Sequence, residues 1–250
     1  MRRSRHQLTI SDAISTSFVV LFKNFVPFMF LGAIFTSPNL IMTFNPSQDP
    51  GLMDTLVSYA ISTACSLMLT GTLVYGVYST LRGQNASMID CLSVGVSKML
   101  PAVGVMIVTG LGIALGLLLL IIPGIVLMLR WYVAVPCAVL ERTGVSESMA
   151  RSKYLTRGHQ GTIFWLLCVI GLLATIVAIP LTMVLGLPHE YVFDAQGEVV
   201  LQTRNGAILG FFAFQVFMGV LSACTSAVVY QSLRIQKEGT DLESIAAVFD

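Results

Sequence analysis

Long apolar runs separated by short polar segments set the pattern of this chain. About twenty apolar residues in a helix suffice to cross a bilayer. The pattern predicts six such spans, at residues 25–44, 56–81, 161–185 and 208–233, with two more inside 101–140. As one helix, 101–140 would be about 60 Å long, twice the roughly 30 Å hydrocarbon thickness, so it must cross twice. We place its structural turn at Pro123 and Gly124, because proline lacks a backbone donor and glycine tolerates a turn.

An amphipathic segment precedes the first span. Its apolar residues recur every three or four positions and form one stripe on a helix whose other face is polar: Ile10, Ile14, Phe18, Leu21 and Phe25. A helix of that kind lies in the membrane surface. Polar residues interrupt the run and no small-residue cleavage site follows, so we predict no cleaved signal.

Two later segments repeat the plan of this first one. In each, a capping-type residue stands three positions before an acid, and an apolar residue follows two positions after it; the acids are Asp12, Asp90 and Glu147. Such an acid can cap free backbone donors and faces the positive end of its helix. We infer one membrane domain, residues 1–250, built from three copies at 9–82, 87–142 and 144–234. Chance similarity between short amphipathic segments is the alternative.

The predicted fold is therefore all-α and integral to the membrane. Six transmembrane helices form three hairpins, each preceded by an amphipathic inner-surface helix. The last outer loop is the exception to the helical pattern, because residues 190–202 read either as two short strands about Gly197 or as an irregular loop.

Composition supports the membrane class. Apolar residues make up 55% of the chain and charged residues 11%, which is more apolar than a soluble domain of this size. The net charge of +1, without a basic stripe, gives no reason to expect nucleic acid. The five cysteines lack ligand spacing, so we expect no disulfide, metal or cofactor.

Charge predicts the orientation, because cytoplasmic loops retain Lys and Arg. With six spans, Arg204 lies alone on one side. The other side collects the remaining loop cations: Arg2, Arg3, Arg5, Lys23, Arg82, Lys98, Arg142, Arg151, Lys153, Arg157, Arg234 and Lys237. We therefore expect both termini to be cytoplasmic.

Arg130 is the residue that most invites a functional interpretation. It follows Gly124 by six positions, about 9 Å down a helix, and a charge at membrane depth costs several kcal/mol unless it is paired or hydrated. Beside Trp131, it either snorkels to an interface, binds an anionic head group or substrate, or has a partner that the sequence does not identify. Arg151, Lys153 and Arg157 either touch lipid phosphates or form a solvated polar face.

The block from Ile122 to Arg157 resembles a known family. Its Pro-Gly pair, Arg130-Trp131, Pro136, Glu141 and the Ser148-Met-Ala-Arg-Ser152 helix are similar to YciC-type bacterial inner-membrane proteins. They also resemble the related membrane domain attached to some glycerophosphodiester phosphodiesterases. This resemblance implies a multi-pass protein of the bacterial inner membrane without assigned chemistry. The phosphodiesterase activity is not implied, because nothing outside the spans could form the catalytic barrel.

The residues give an enzyme little support. The three histidines are scattered, and no nucleophile, metal or phosphate-loop motif is present, so we predict no catalytic residues. We expect a non-enzymatic protein that contacts the phospholipid bilayer, organises or senses anionic lipid, or scaffolds envelope proteins or a homo-oligomer. The alternative is a carrier for an anionic or lipid-like substrate, although no acid within the spans could couple an ion gradient. A lipid-modifying enzyme ranks third.

Overall fold

A computed structural model gives the architecture of the chain. It describes residues 9–44, 51–83, 88–97, 99–141, 143–186, 189–193, 199–203 and 205–238. Several predicted features lie outside these residues, namely the cations Arg2, Arg3, Arg5, Lys98, Arg142 and Arg204 and the turn around Gly197, as do residues 45–50 between the first two predicted spans.

The first half of the described chain is helical. The helices are α1 (Ile10–Lys23), α2 (Phe25–Phe44), α3 (Leu52–Leu81), α4 (Met88–Ser97) and α5 (Met99–Leu119). The range predicted for the first span, 25–44, is that of α2, and the helix of the second span begins four residues earlier than predicted.

The second half adds five helices and two strands. They are α6 (Ile121–Arg130), α7 (Ala134–Leu140), α8 (Val145–Thr156), α9 (Gln160–Leu185), β1 (His189–Phe193), β2 (Val199–Thr203) and α10 (Asn205–Glu238). The strands pair antiparallel, with His189 opposite Thr203 and Phe193 opposite Val199.

Five helical segments of the described chain are long and apolar enough to cross a membrane. They are α3, α9, α10, residues 101–119 of α5, and the 20-residue segment 121–140, which consists of α6, α7 and the three residues between them. A sixth arises if α1 and α2 count as one broken span, although they meet at 89°. That angle is the one expected when a surface helix leads into a spanning helix.

The core lies where α2 and α3 pack on α10. Gly32 of α2 faces Val216 and Val220, and a methyl group in its place would lie 2.8 Å from a Val220 methyl carbon. Leu73 and Val77 of α3 are fully buried in the same cluster. Close approach of this kind holds helices together in lipid, where no hydrophobic force drives them into contact.

The three amphipathic helices pack in a cyclic order, each on the helix before it, with the last helix counted as the one before the first. α4 packs on α3 and α8 packs on α7, so each contacts the helix that precedes it in the chain, while α1 packs on the last helix, α10. α4 runs antiparallel along the end of α3, since Gly95 faces Thr72 and Cys91 faces Gly76. This cyclic arrangement is what three copies would produce, and the duplication itself stays a prediction.

The hairpin between α5 and α6 reverses at Leu120, three residues before Pro123. Leu120 leaves the helical conformation with φ −161° and ψ 137°, and Pro123 and Gly124 lie in the first turn of α6. Proline is tolerated there because the backbone donors of a first turn have no intrahelical partner. Gly124 serves close packing, because a methyl group in its place would lie 2.5 Å from Leu117 Cγ.

Residues 131–133 interrupt the segment predicted as a single fourth span. α6 ends at Arg130, and α7 starts at Ala134. Trp131 packs on α5 at Gly112, where a methyl group would lie 2.6 Å from the indole ring. α7 does not continue the backbone hydrogen bonding of α6 past the break, and hydroxyl groups of α8 donate to the carbonyl of Arg130.

Candidate functional site

A ring of five hydrogen-bonded side chains joins α8 and α10 to the end of α7. Glu141, the residue after α7, accepts from the phenol of Tyr230 through Oε1 at 2.7 Å. Its Oε2 accepts from Arg151 Nε at 2.8 Å. Both acceptor oxygens of the carboxylate are therefore engaged, and the side chain is only 14% exposed.

Glu238 closes this ring from the end of α10. Its carboxylate pairs with Arg151 Nη2 and with Arg234 Nε, the latter at 3.2 Å. Arg234 Nη1 in turn donates to the Tyr230 oxygen at 3.4 Å. We call these five residues, Glu141, Arg151, Tyr230, Arg234 and Glu238, the Glu141 ring.

The Glu141 ring is electrically balanced, with two carboxylates for two guanidinium groups. Burial lowers the pKa of Arg151, but hydrogen bonds to Glu141 and Glu238 outweigh it and raise that pKa overall. Arg151 is therefore a permanent cation whose charge is already matched. Sequence reasoning grouped Arg151 with head-group ligands, and the structure places it in a cross-link between helices.

Further cations lie near the Glu141 ring, and one of them contacts Tyr154 of α8. Lys237 Nζ donates to the Tyr154 carbonyl at 2.6 Å and lies 4.9 Å from the centre of its ring. Arg157 directly follows α8 and is exposed, as is Lys153. Within the described part of the chain neither Lys153 nor Arg157 forms an ion pair, so their charges are available to an anion.

Arg130 meets α8 through its backbone. Its carbonyl accepts from Ser152 Oγ at 2.9 Å, and also from Thr156 Oγ1 at 3.2 Å, a hydroxyl that shares its proton with the Ser152 carbonyl at 2.9 Å. Both hydroxyls are buried, and they satisfy an acceptor that the break after α6 would otherwise leave open. The guanidinium is half-buried and makes no hydrogen bond or ion pair with the described residues. Arg130 therefore lies beside α8, at the far end of α6 from the turn.

An apolar groove of about 200 Å³ lies between α1, α9 and α10. α9 contributes Leu173, Ile176 and Val177, each about half exposed, so the groove opens to the surroundings of the bundle. Its other walls come from α1 and α10, with members such as Ile14, Phe18, Phe217, Met218 and Leu221. No charged residue lines it.

The remaining predicted residues lie apart from the Glu141 ring and the groove. Asp12, Asp90 and Glu147 are each the third residue of an amphipathic helix and are exposed. Asp12 accepts from the hydroxyl of Thr9, the residue before α1, although that hydroxyl makes no cap bond to the backbone. Trp131 packs inside the hairpin.

Sequence reasoning missed Tyr230 and Glu238 as partners of Glu141 and Arg151. Two signals were available. Arg234 and Glu238 stand four positions apart on one helix face, a spacing that favours ion pairs. The Tyr230 to Arg234 spacing also matches that of Tyr78 and Arg82, whose guanidinium lies 4.3 Å from the Tyr78 ring centre.

The helices, the apolar exterior and the fold describe a multi-pass membrane protein. More specifically, residues 102–243, more than half of the chain, match the family described as the membrane domain of glycerophosphoryl diester phosphodiesterase, and the chain belongs to that family. The match includes all five members of the Glu141 ring and the groove walls from α9 and α10. Comparison with curated proteins and with solved structures gave no match.

Proposed function

We propose that this protein is a non-enzymatic lipid-interacting protein of the bacterial inner membrane, with both termini in the cytoplasm. It holds a phospholipid with an acyl chain in the groove between α1, α9 and α10 and the head group near the end of α8. The family and the positive side predicted from the loops support this location. Contacts with envelope proteins or a second copy belong to the same proposal.

The observation that carries the proposal is the position of the groove relative to free cations. Two residues separate Arg157 from the start of α9, and the groove begins at Ile170, about 15 Å along that helix from its first residue. Half of a bilayer's hydrocarbon is also about 15 Å thick. A phosphate held at Arg157 and Lys153 would therefore place the end of its acyl chain at the groove.

The size of the groove suits this occupant. A cavity of about 150 Å³ binds a benzene molecule, so one of about 200 Å³ accepts a short stretch of hydrocarbon chain. Its walls offer almost no polar atoms to water or a polar solute. A basic residue near an anionic leaflet adds about 1 kcal/mol of attraction.

Thermal unfolding with added lipid tests the head-group part of the proposal. A phosphatidylglycerol should raise the Tm of the detergent-solubilised protein more than a phosphatidylcholine with the same chains, because ligands stabilise the state that binds them. The double variant Lys153→Gln, Arg157→Gln should lose that difference, whereas the control Lys23→Gln, at an exposed lysine of α1, should keep it. Equal responses of the wild type to the two lipids would contradict the proposal.

The alternative is a carrier for an anionic or lipid-like substrate. Its support is a polar face of α3 formed by Ser58, Ser62, Ser66 and Thr70. In that face Ser58 bonds the carbonyl of Asp54 and Ser62 pairs with Asn39 of α2, bonds that suit helix packing equally well. Gradient-dependent uptake into proteoliposomes, abolished by Arg130→Leu, would favour the carrier. Turnover of a labelled phospholipid by pure protein would instead establish an enzyme.

A further inference from the structure

The turn between α5 and α6 is apolar and exposed over its whole length. No polar side chain occurs between Thr109 and Arg130. From Leu118 to Ile122, every side chain is 68–82% exposed. Loops that meet water carry polar residues, and monomers rarely expose contiguous apolar surface above a few hundred Å². The side chains of this turn are therefore suited to contact with lipid hydrocarbon and not with water.

The turn also leaves few backbone N–H groups without a hydrogen-bond acceptor. Leu120 N donates to Gly116 O at 3.0 Å, and Gly124 N donates to Leu120 O at 3.4 Å. Proline at 123 has no donor at all. The first four backbone N–H groups of a helix normally have no intrahelical partner. In α6 only the N–H groups of Ile121 and Ile122 are left without one. Such economy matters in lipid, where an unsatisfied backbone group costs several kcal/mol.

The length of α6 limits where the turn can lie. α6 has ten residues and is about 15 Å long. Its last residue, Arg130, bonds Ser152 and Thr156 of α8, next to the exposed Arg157. Leu120 therefore lies within about 18 Å of those two hydroxyls, and Arg157, the residue after Thr156, requires water or a head group. The hydrocarbon core is roughly 30 Å thick, so α6 alone does not carry the turn to the opposite surface.

We propose that α5 and α6 form a re-entrant hairpin whose tip, residues 117–122, lies in the bilayer among lipid acyl chains and does not reach the opposite surface. The proposal replaces two predicted crossings with none. It therefore keeps α8 and both termini on one side, with α2, α3, α9 and α10 as spanning helices. Close packing of Gly116 against Gly124 lets the two arms of the hairpin enter together.

Cysteine accessibility in lipid nanodiscs tests the proposal, because both membrane faces are open to reagent there. The background replaces the five native cysteines, and single cysteines then replace Leu118, Leu120, Lys153 or Asp54. Lys153 and Asp54 are exposed positions in α8 and at the start of α3. A membrane-impermeant maleimide should label the positions 153 and 54, and should label 118 and 120 only after SDS is added.

A depth measurement provides a second readout on the same variants. A fluorophore at position 118 or 120 should be quenched more by a nitroxide near the end of a lipid acyl chain than by one at the head group. Labelling of both tip cysteines in nanodiscs as fast as at position 54 would overturn the proposal. Stronger quenching from the head group would overturn it as well. Using two tip positions covers the case in which one substitution fails to fold.

Discussion

The carboxylate of Glu141 and the phenol of Tyr230 lie 2.7 Å apart, although 89 residues separate them in the chain. This bond joins the end of α7 to α10, and Arg151 joins both to α8. Charged and polar groups so placed stabilise a structure when every partner is satisfied, and removal of one leaves the others exposed to a desolvation cost. One substitution in the Glu141 ring therefore removes bonds that join three helices.

Glu141→Ala should lower the free energy of unfolding by about 1–3 kcal/mol, because Arg151 and Tyr230 each lose a partner. Unfolding by SDS in mixed micelles measures this. The control is Glu147→Ala, which removes an exposed acid from α8 and should cost no more than about 0.5–1 kcal/mol. Equal losses in the two variants would show that the Glu141 ring has no special role.

Tyr230→Phe should cost about 1 kcal/mol, since it deletes only the hydroxyl that binds Glu141. Combined with Glu141→Ala, the loss should fall short of the sum of the single losses by about 0.5 kcal/mol or more, because both changes remove the same bond. Tyr75→Phe, at a half-buried tyrosine of α3, should combine additively with Glu141→Ala. Additivity in both pairs would contradict the hydrogen bond.

Removing both hydroxyls that bind the Arg130 carbonyl, with Ser152→Ala and Thr156→Val, should cost about 1–3 kcal/mol. Either change alone should cost less, because the other hydroxyl still satisfies the carbonyl. Thr175→Val is the control, since that hydroxyl is exposed and bonds its own helix. If the double change behaves like the control, the carbonyl has another donor and the anchor is unimportant.

Gly124→Ala should destabilise the protein by about 1–3 kcal/mol, because the added methyl group would meet Leu117 at 2.5 Å. Gly110→Ala offers a matched test in α5, where a methyl group meets no atom within 4 Å. There alanine should be neutral or stabilise the helix by up to about 1 kcal/mol. A reversed order of stability would refute the close packing of the hairpin.

The sequence predicted some helix boundaries closely, where apolar residues give way to polar ones. The range of α2 and the start of α9 show this to within a residue. The reversal at Leu120 carries no such mark, since apolar residues surround it on both sides. The turn was therefore predicted at Pro123, because proline lacks a backbone N–H donor. In the structure Pro123 lies in the first turn of α6.

The candidate site was harder to predict, because its bonds join distant segments. Arg151 was predicted as a candidate head-group ligand or part of a solvated face, whereas its partner Glu238 lies 87 residues away and was not predicted. The break after Arg130 contains neither proline nor glycine, but Pro136 marks it from three residues further on, because in a continuous helix its ring would clash with the carbonyl of residue 132. The groove has apolar walls that pattern analysis assigns to ordinary lipid-facing surface.

Native mass spectrometry of protein released from mild detergent tests the central claim most directly. The variants are Ala174→Trp, which fills the groove, and Leu172→Trp, which places the same side chain on the outer face of α9. Wild type and Leu172→Trp should retain a phospholipid, and Ala174→Trp should lose it while keeping a similar Tm in detergent. Retention of the same lipid by Ala174→Trp, or by none of the three proteins, would contradict a lipid-binding groove.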